Sequence, residues 1–153
     1  MDFEKNLEAK DIVLPNAPDP VGAYAATKVV GKLLFISGQI SIDKNNQLIK
    51  GTLGKNLTTE QGYEAAKRCA LNIVSQAKKK CNNDLNGIKS CVKITGYVNS
   101  IDSFHDQPKI INSVSELLEN VFGINGKHSR AAVSVNSLPL GASVEVDAIF
   151  EIK

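Results

Sequence analysis

The sequence predicts an α+β domain in which two amphipathic helices pack on one face of a mixed β-sheet. Three observations support this fold class: a segment rich in β-formers near the N-terminus and two segments of alternating polarity near the C-terminus, two segments of helical periodicity between them, and an ordinary globular composition with 42% hydrophobic and 22% charged residues. The predicted order of elements is β-β-(β)-α-β-α-β-β. The chain shows no linker or internal repeat, so residues 1–153 are expected to form one domain.

The N-terminal part of the chain combines a loop with the first predicted strands. Residues 1–22 are expected to be loop-like because they carry three prolines. Residues 29–36, VVGKLLFI, are rich in β-formers and predict a strand that ends at the sequence SGQ. Residues 40–42 continue briefly in extended form, and residues 43–46, DKNN, are typical of a turn.

Two helices are predicted from capping residues and from periodicity. Thr58 and Gln61 have the spacing of a capping box, in which the two residues satisfy each other's free backbone N–H groups. This helix is expected to end near residues 82–83. The apolar residues with the spacing of its inner face are Tyr63, Ala66, Ala70, Ile73, Val74 and Ala77. The second helix is expected to begin at Pro108 and to end at Gly123, a residue suited to a helix C-terminus.

The remaining strands are predicted at residues 88–98 and on either side of the LPLG corner at residues 138–141. A hairpin around this corner would place Arg130 opposite Ala148, on the same sheet face as Glu145 and roughly 10 Å from it along the strand. That separation suits a small acid, since the guanidinium fork binds a carboxylate bidentately. By spacing alone, however, an arginine and a glutamate on a sheet face are more typical of a solvated surface.

The composition argues against several classes of function. The net charge is only +2 and aromatic residues are scarce, which disfavours a nucleic-acid surface. Three cysteines without C-x-x-C spacing predict neither a disulfide framework nor a zinc site and favour a reducing compartment. The two histidines are too far apart to predict a local metal site. With no targeting pattern and no apolar run of about 20 residues, the chain is expected to be cytoplasmic and not to enter a membrane.

Four segments, taken together and in this order, resemble the Rid/YjgF family of reactive intermediate deaminases. They are VGAYAATKVVGKLLFISGQI at residues 21–40, ALNIVSQA at residues 70–77, VKITGYVNSIDSF at residues 92–104 and SRAAVSVNSLPLGASVEVDAI at residues 129–149. The last segment is the most specific, because it combines an arginine, a short strand, a Leu-Pro corner and a strand of the form V-E-V-x-A-I. The resemblance extends over nearly all of the chain after about residue 12.

The resemblance implies a fold, an assembly and an activity. Members have a chorismate-mutase-like α+β domain and are normally homotrimers with ligand clefts between subunits, which would account for a sheet face that mixes charged residues with Ile149. Their activity is the hydrolysis of enamines and imines, such as 2-aminoacrylate, to 2-keto acids and ammonia. This chemistry uses no metal and no organic cofactor.

The resemblance also assigns roles to individual residues. Arg130 is expected to bind the substrate carboxylate, and Glu145 to position or activate the attacking water. Tyr24 and Ser37 are expected to lie beside the ligand. Ala132 occupies a substrate-binding position at which a cysteine is common in the family.

The sequence departs from the family pattern at several of these positions. Besides Ala132, residues 128–129 read His-Ser where Pro-Ala is usual, Ala131 replaces a small hydroxyl residue, and Ala23 replaces a common proline. These departures indicate a divergent subgroup with a reshaped cleft. Three hypotheses follow: an imine deaminase, a non-catalytic 2-keto acid binding protein or sensor that uses the same cleft, and a ribonuclease or translation inhibitor. The low net charge and scarce aromatic residues disfavour the third.

Overall fold

The computed structural model describes residues 2–153, and these residues form a five-stranded sheet with three α-helices. Met1, which the predicted domain 1–153 includes, lies outside the described residues. The helices are α1 (Phe3–Ala9), α2 (Thr59–Lys80) and α3 (Gln107–Phe122). The strands are β1 (Thr27–Val30), β2 (Leu33–Ile40), β3 (Ile88–Asn99), β4 (Ser129–Val135) and β5 (Val144–Ile152).

The sheet is mixed, as predicted, with the strand order β1-β2-β5-β3-β4. Every neighbouring pair is antiparallel except β3 and β4, which run parallel and are joined through α3. A parallel pair needs such a helical crossover, whereas an antiparallel pair needs only a short turn. The predicted hairpin between the last two strands is therefore wrong: β3 lies between β4 and β5, and β4 is an edge strand.

Two further predictions about the N-terminal half are wrong. The segment at 29–36 is not one strand but contains a hairpin turn, because Gly31 adopts φ 58° and the chain reverses between β1 and β2. The expected loop at 1–22 contains α1, which Asp2 caps by accepting hydrogen bonds from two backbone N–H groups. Phe3 and Leu7 anchor α1 in the core.

The predicted helices are confirmed. The capping box between Thr58 and Gln61 is present at the start of α2, and α2 ends at Lys80. Its predicted apolar residues are buried except Tyr63, which remains 36% exposed. Helix α3 begins one residue before Pro108 and ends at Phe122, where Gly123, with a φ of 59°, caps it.

The two faces of the sheet differ in what covers them. Alternate residues of β5, beginning with Val144 and Val146, are buried beneath α2 and α3, and we call this side the helix face. No helix formed by residues 2–153 covers the opposite side, which we call the open face. It carries exposed apolar side chains, among them Val30, Phe35 and Val133. In the part of the chain that the structure describes, no helix is long and apolar enough to cross a bilayer.

The capping box at the start of α2 allows a test of the fold. Thr58→Ala leaves one N–H at the start of α2 without its partner, so we expect the free energy of unfolding to fall by about 1 kcal/mol. Urea denaturation measures this loss. Thr59→Ala, at the neighbouring exposed position, is the matched control, and an equal loss in both variants would contradict the role of the cap.

Candidate functional site

A cleft of about 560 Å³ lies on the open face beside β2 and β5. The N-terminal loop forms one wall, and the corner at 139–141 forms another. The lining is largely apolar, and a volume in the range of 300–1,000 Å³ is typical of small-molecule sites. The lining residues are Pro18, Asp19, Pro20, Val21, Tyr24, Ala26, Gly38, Gln39, Ile40, Ile42, Asn46, Pro139, Leu140 and Glu145.

Glu145 provides the carboxylate of this cleft. It lies on β5 opposite Ile40 of β2, and its side chain lies directly over Gly38. A Cβ on Gly38 would overlap the carboxylate, with Cδ of Glu145 only 2.9 Å away, so only glycine leaves room for it. Burial, and to a lesser extent the charge of Asp147, raises the pKa of Glu145 above that of an ordinary glutamate. No hydrogen bond or cation from residues 2–153 offsets this effect.

A second carboxylate on the open face is held in place. The hydroxyl of Tyr97 donates a hydrogen bond to Oδ2 of Asp147 at 2.9 Å, and Tyr97 pairs directly with Glu145 across β3 and β5. Burial and this bond to Asp147 raise the pKa of Tyr97, which keeps the hydroxyl protonated as a donor. Asp147 thus differs from Glu145: its carboxylate accepts a hydrogen bond from Tyr97, whereas the Glu145 carboxylate is available to a ligand or a water molecule.

The N-terminal loop brings Tyr24 to the cleft. Tyr24 is 53% exposed and lines the opening. Ser37 does not line the cleft. Its hydroxyl donates to the carbonyl of Ala25 at 2.7 Å, and its N–H donates to the carbonyl of Ala26 at 3.0 Å. Ser37 therefore ties the segment that carries Tyr24 to β2.

Arg130 and Ala132 lie elsewhere. Across the sheet, Arg130 pairs with Ile94, and Ile94 pairs with Ala148, which is buried beneath the helices. Residues paired in one row share a face, so the Arg130 side chain lies on the helix face, where it donates to two oxygens of α3. Ala132, two positions further along β4, is half-buried on the same side and packs against the core.

The prediction that Arg130 and Glu145 share a sheet face is wrong. Glu145 lies three positions from Ala148, and side chains alternate along a strand, so an odd offset places the two on opposite faces. The intervening β3 also separates them by one more strand than a hairpin would. Within one chain, the cleft therefore contains Glu145 but not Arg130, which lies on β4 on the other face of the sheet.

Several residues of the cleft were not predicted from the sequence. Leu140 adopts φ 59° and ψ 13°, a left-handed conformation that leucine rarely takes, and it lines the cleft with 63% of its surface exposed. The LPLG motif marked a corner but not this conformation. Asp147 had a signal in the sequence, since it stands two residues after Glu145 in a strand and therefore shares its face.

The described residues offer no cluster of metal ligands. Across residues 2–153, no group of three or more His, Cys, Asp or Glu side chains is arranged to hold a metal ion. The cysteines do not replace the thiol missing at Ala132 either, because Cys69 and Cys91 are buried and burial raises the pKa of both thiols.

The raised pKa of Glu145 predicts the pH dependence of stability. A carboxyl whose pKa is raised in the folded state favours the protonated form, so its ionisation at neutral pH destabilises the fold. We expect Glu145→Gln to unfold at a higher temperature than the wild type at pH 7, with the gain vanishing as the pH falls towards 4.

Glu151→Gln is the matched control on the same strand and face. The hydrogen bond from Lys89 lowers the pKa of Glu151, so this variant is expected to lose stability at pH 7 and to recover relative to the wild type as the pH falls. A stability difference for Glu145→Gln that does not change with pH would contradict the account of its burial.

Comparison with known proteins adds to this geometry. Residues 4–152 match the family described as "YjgF/chorismate_mutase-like, putative endoribonuclease". The chain is 40% identical to Protein TCP17 of Trypanosoma cruzi over 148 residues, which cover 96% of this chain and 92% of that protein. It is 30% identical to the 2-iminobutanoate/2-iminopropanoate deaminase of Homo sapiens over 145 residues, 94% of this chain and 90% of that protein.

A solved structure shows the same fold. The crystal structure of the protein Atu1372, of unknown function, from Agrobacterium tumefaciens matches with a TM-score of 0.90 and 36% identity, over 99% of this chain and 94% of that one. The resemblance read from the sequence and the predicted chorismate-mutase-like α+β fold are both confirmed. The chain belongs to the Rid/YjgF family.

Proposed function

We propose that this protein hydrolyses reactive imines and enamines of amino acids to 2-keto acids and ammonia. The observation that carries the proposal is the Glu145 carboxylate, which is half-buried in an apolar cleft, has a raised pKa and accepts no hydrogen bond from residues 2–153. A general base is most effective when its pKa is shifted towards the working pH. Relatives about 30% identical that are named 2-iminobutanoate/2-iminopropanoate deaminase support the same chemistry.

The proposed reaction needs one base and one anchor. Glu145 takes a proton from a water molecule while the water oxygen attacks the imine carbon, whose C=N electrons move to nitrogen. Glu145 gives this proton to the nitrogen, which produces an amino alcohol. As the C=O bond forms and the C–N bond breaks, Glu145 takes the hydroxyl proton and passes it to the leaving nitrogen, so that ammonia departs with both protons of the water. An enamine first takes a proton on carbon and loses one from nitrogen, which converts it to the imine. Because the imine carbon is already electrophilic, no metal or cofactor is required for this sequence of steps.

The anchor in this proposal is Arg130 of a neighbouring subunit. Its guanidinium binds the substrate carboxylate bidentately and so orients the imine carbon against the base. Arg130 lies on the exposed edge strand of the sheet, whereas the Glu145 cleft opens on the other face, so two copies are needed to bring them together. The exposed apolar side chains of the open face suit such an assembly, which we propose is a homotrimer with clefts between subunits.

The cleft also supports a proposal about the substrate side chain. Its lining within one subunit is mostly apolar. We therefore propose substrates with a larger apolar side chain than 2-aminoacrylate. The same apolar lining, with the carboxylates of Asp19 and Glu145, is unsuited to an RNA backbone. A reducing cytoplasmic location is part of the proposal and is supported by the three free cysteines.

Substitutions at two residues test the proposed roles in a coupled assay in which an amino-acid dehydratase generates the imine. Glu145→Gln removes the base, and we expect kcat to fall by about 10²–10⁴-fold. Arg130→Ala removes the anchor, and Arg130→Lys keeps the charge but loses the bidentate fork, so both should raise KM, with the alanine variant the more impaired.

The controls for this assay are Glu151→Gln, on the same strand as Glu145, and the oligomeric state of each variant. Unchanged ammonia release in both Glu145→Gln and Arg130→Ala would sink the proposal. If the protein binds 2-keto acids through Arg130 but does not accelerate the hydrolysis of any imine, it is instead a receptor.

The apolar lining predicts a substrate preference. Each additional buried methylene stabilises the bound state by about 0.8 kcal/mol, or roughly fourfold in affinity. We expect kcat/KM to rise from 2-iminopropanoate to 2-iminobutanoate and again to the imine of leucine, and we expect Leu140→Ala to reduce the rise. Imines released by an amino-acid oxidase allow these rates to be compared directly. Equal rates for all three imines would show that the lining does not select the side chain.

A further inference from the structure

A chain of hydrogen bonds connects the backbone to Arg130 through two side chains that the proposed mechanism does not use. Nδ1 of His128 lies 2.6 Å from the carbonyl oxygen of Gly126, and Nε2 of His128 lies 3.0 Å from Oγ of Ser115. Nη1 of Arg130 then donates to the same Oγ at 3.2 Å. His128 and Ser115 are both half-buried, whereas Arg130 is exposed.

The direction of each bond follows from the first. A backbone carbonyl only accepts, so Nδ1 of His128 must carry the hydrogen. In the neutral imidazole, Nε2 is then an acceptor, and the hydroxyl of Ser115 donates to it. This leaves the lone pairs of Oγ directed at the guanidinium of Arg130. The tautomer of His128 thus determines how Ser115 presents its oxygen.

Close packing fixes the position of Gly126, whose carbonyl begins this series of hydrogen bonds. Gly126 is buried against α3, and a Cβ at this position would overlap the carbonyl of Leu118 and approach the nitrogen of Glu119 to 2.9 Å. The backbone therefore sits tightly on the helix that also carries Ser115. His128 is held between two points of one rigid unit, which gives its ring a single orientation.

Arg130 has a second anchor on the same helix. Nη2 donates to the carbonyl oxygen of Pro108 at 3.3 Å, and Pro108 and Ser115 lie about two helical turns apart. The guanidinium therefore lies along α3. These bonds use two of the five N–H donors of an arginine, and five minus two leaves three for a carboxylate.

We propose that Ser115 and His128 are positioning residues that orient the guanidinium of Arg130 for the substrate carboxylate. The inference rests on the proposed function for the role of Arg130, but the hydrogen-bonded chain does not depend on it. An exposed arginine samples many rotamers, and holding it before the ligand arrives removes part of the cost of ordering it. The expected gain in affinity is roughly three- to tenfold. His128 thereby acquires a role at a position where the sequence departs from the family pattern.

The test measures Arg130 directly and does not depend on turnover. The chain has two arginines, Arg68 and Arg130, so a ¹⁵N–¹H spectrum of the arginine side chains contains two Nε–H signals, and Arg130→Lys assigns them. We expect the order parameter of the Arg130 Nε–H to fall in Ser115→Ala and in His128→Ala. Ser115→Thr, which restores the hydroxyl, should recover it, and Asn112→Ala, at an exposed position of α3, should leave it unchanged.

The same variants are then compared for binding of 2-oxobutanoate and for turnover. Ser115→Ala and His128→Ala are expected to weaken binding and raise KM by roughly three- to tenfold while kcat changes less than KM. An Arg130 order parameter that stays high in both variants overturns the inference. So does a lower order parameter with unchanged affinity in a protein whose Arg130→Ala variant no longer binds. Unchanged binding in Arg130→Ala is a different result, because it refutes the proposed function itself.

Discussion

The alternation of side chains across three neighbouring strands is the constraint on which the candidate site depends. Arg130, Ile94 and Ala148 form one row across β4, β3 and β5, and this row faces the helices. Glu145 lies an odd number of residues from Ala148 and faces the other way. No change of rotamer brings the arginine and the glutamate together, because the sheet lies between them. Chemistry that uses both groups therefore has to take one from each of two subunits.

Each half of the site is prepared by its own local structure. On the open face, the missing side chain of Gly38 makes room for the Glu145 carboxylate, and partial burial raises its pKa. On the helix face, α3 holds the Arg130 guanidinium through Ser115 and the Pro108 carbonyl. The proposed hydrolysis of a small imino acid requires two components: a base with a raised pKa, and an ordered guanidinium that binds the substrate carboxylate. In the proposed function, neither half makes the site without the other.

Local signals in the sequence predicted local structure well. The capping box at Thr58 and the glycine at position 123 correctly marked a helix start and a helix end, because these interactions join residues close in the chain. The strand order was not predictable in this way. Placing β3 between β4 and β5 depends on the crossover through α3, and adjacency in sequence favoured a hairpin that does not form. The turn at Gly31 was missed because its apolar flanks read as one continuous strand.

The site was only partly predictable for the same reason. The resemblance selected Tyr24 and Glu145, and the structure places both at one cleft. It also selected Arg130, but the face on which Arg130 lies follows from register with β3, which the local pattern of β4 does not contain. The contact between Gly38 and Glu145 joins residues more than a hundred positions apart, so neither residue alone signals it.

Mixing two inactive variants tests the central claim most directly. Arg130→Ala and Glu145→Gln subunits are unfolded together, refolded as a one-to-one mixture and assayed for imine hydrolysis. If each site takes its arginine from one subunit and its glutamate from another, about a quarter of the sites in a random closed oligomer carry both wild-type residues, and about a quarter of the activity returns. If both groups act within one subunit, no site is complete and the mixture stays as inactive as its parents.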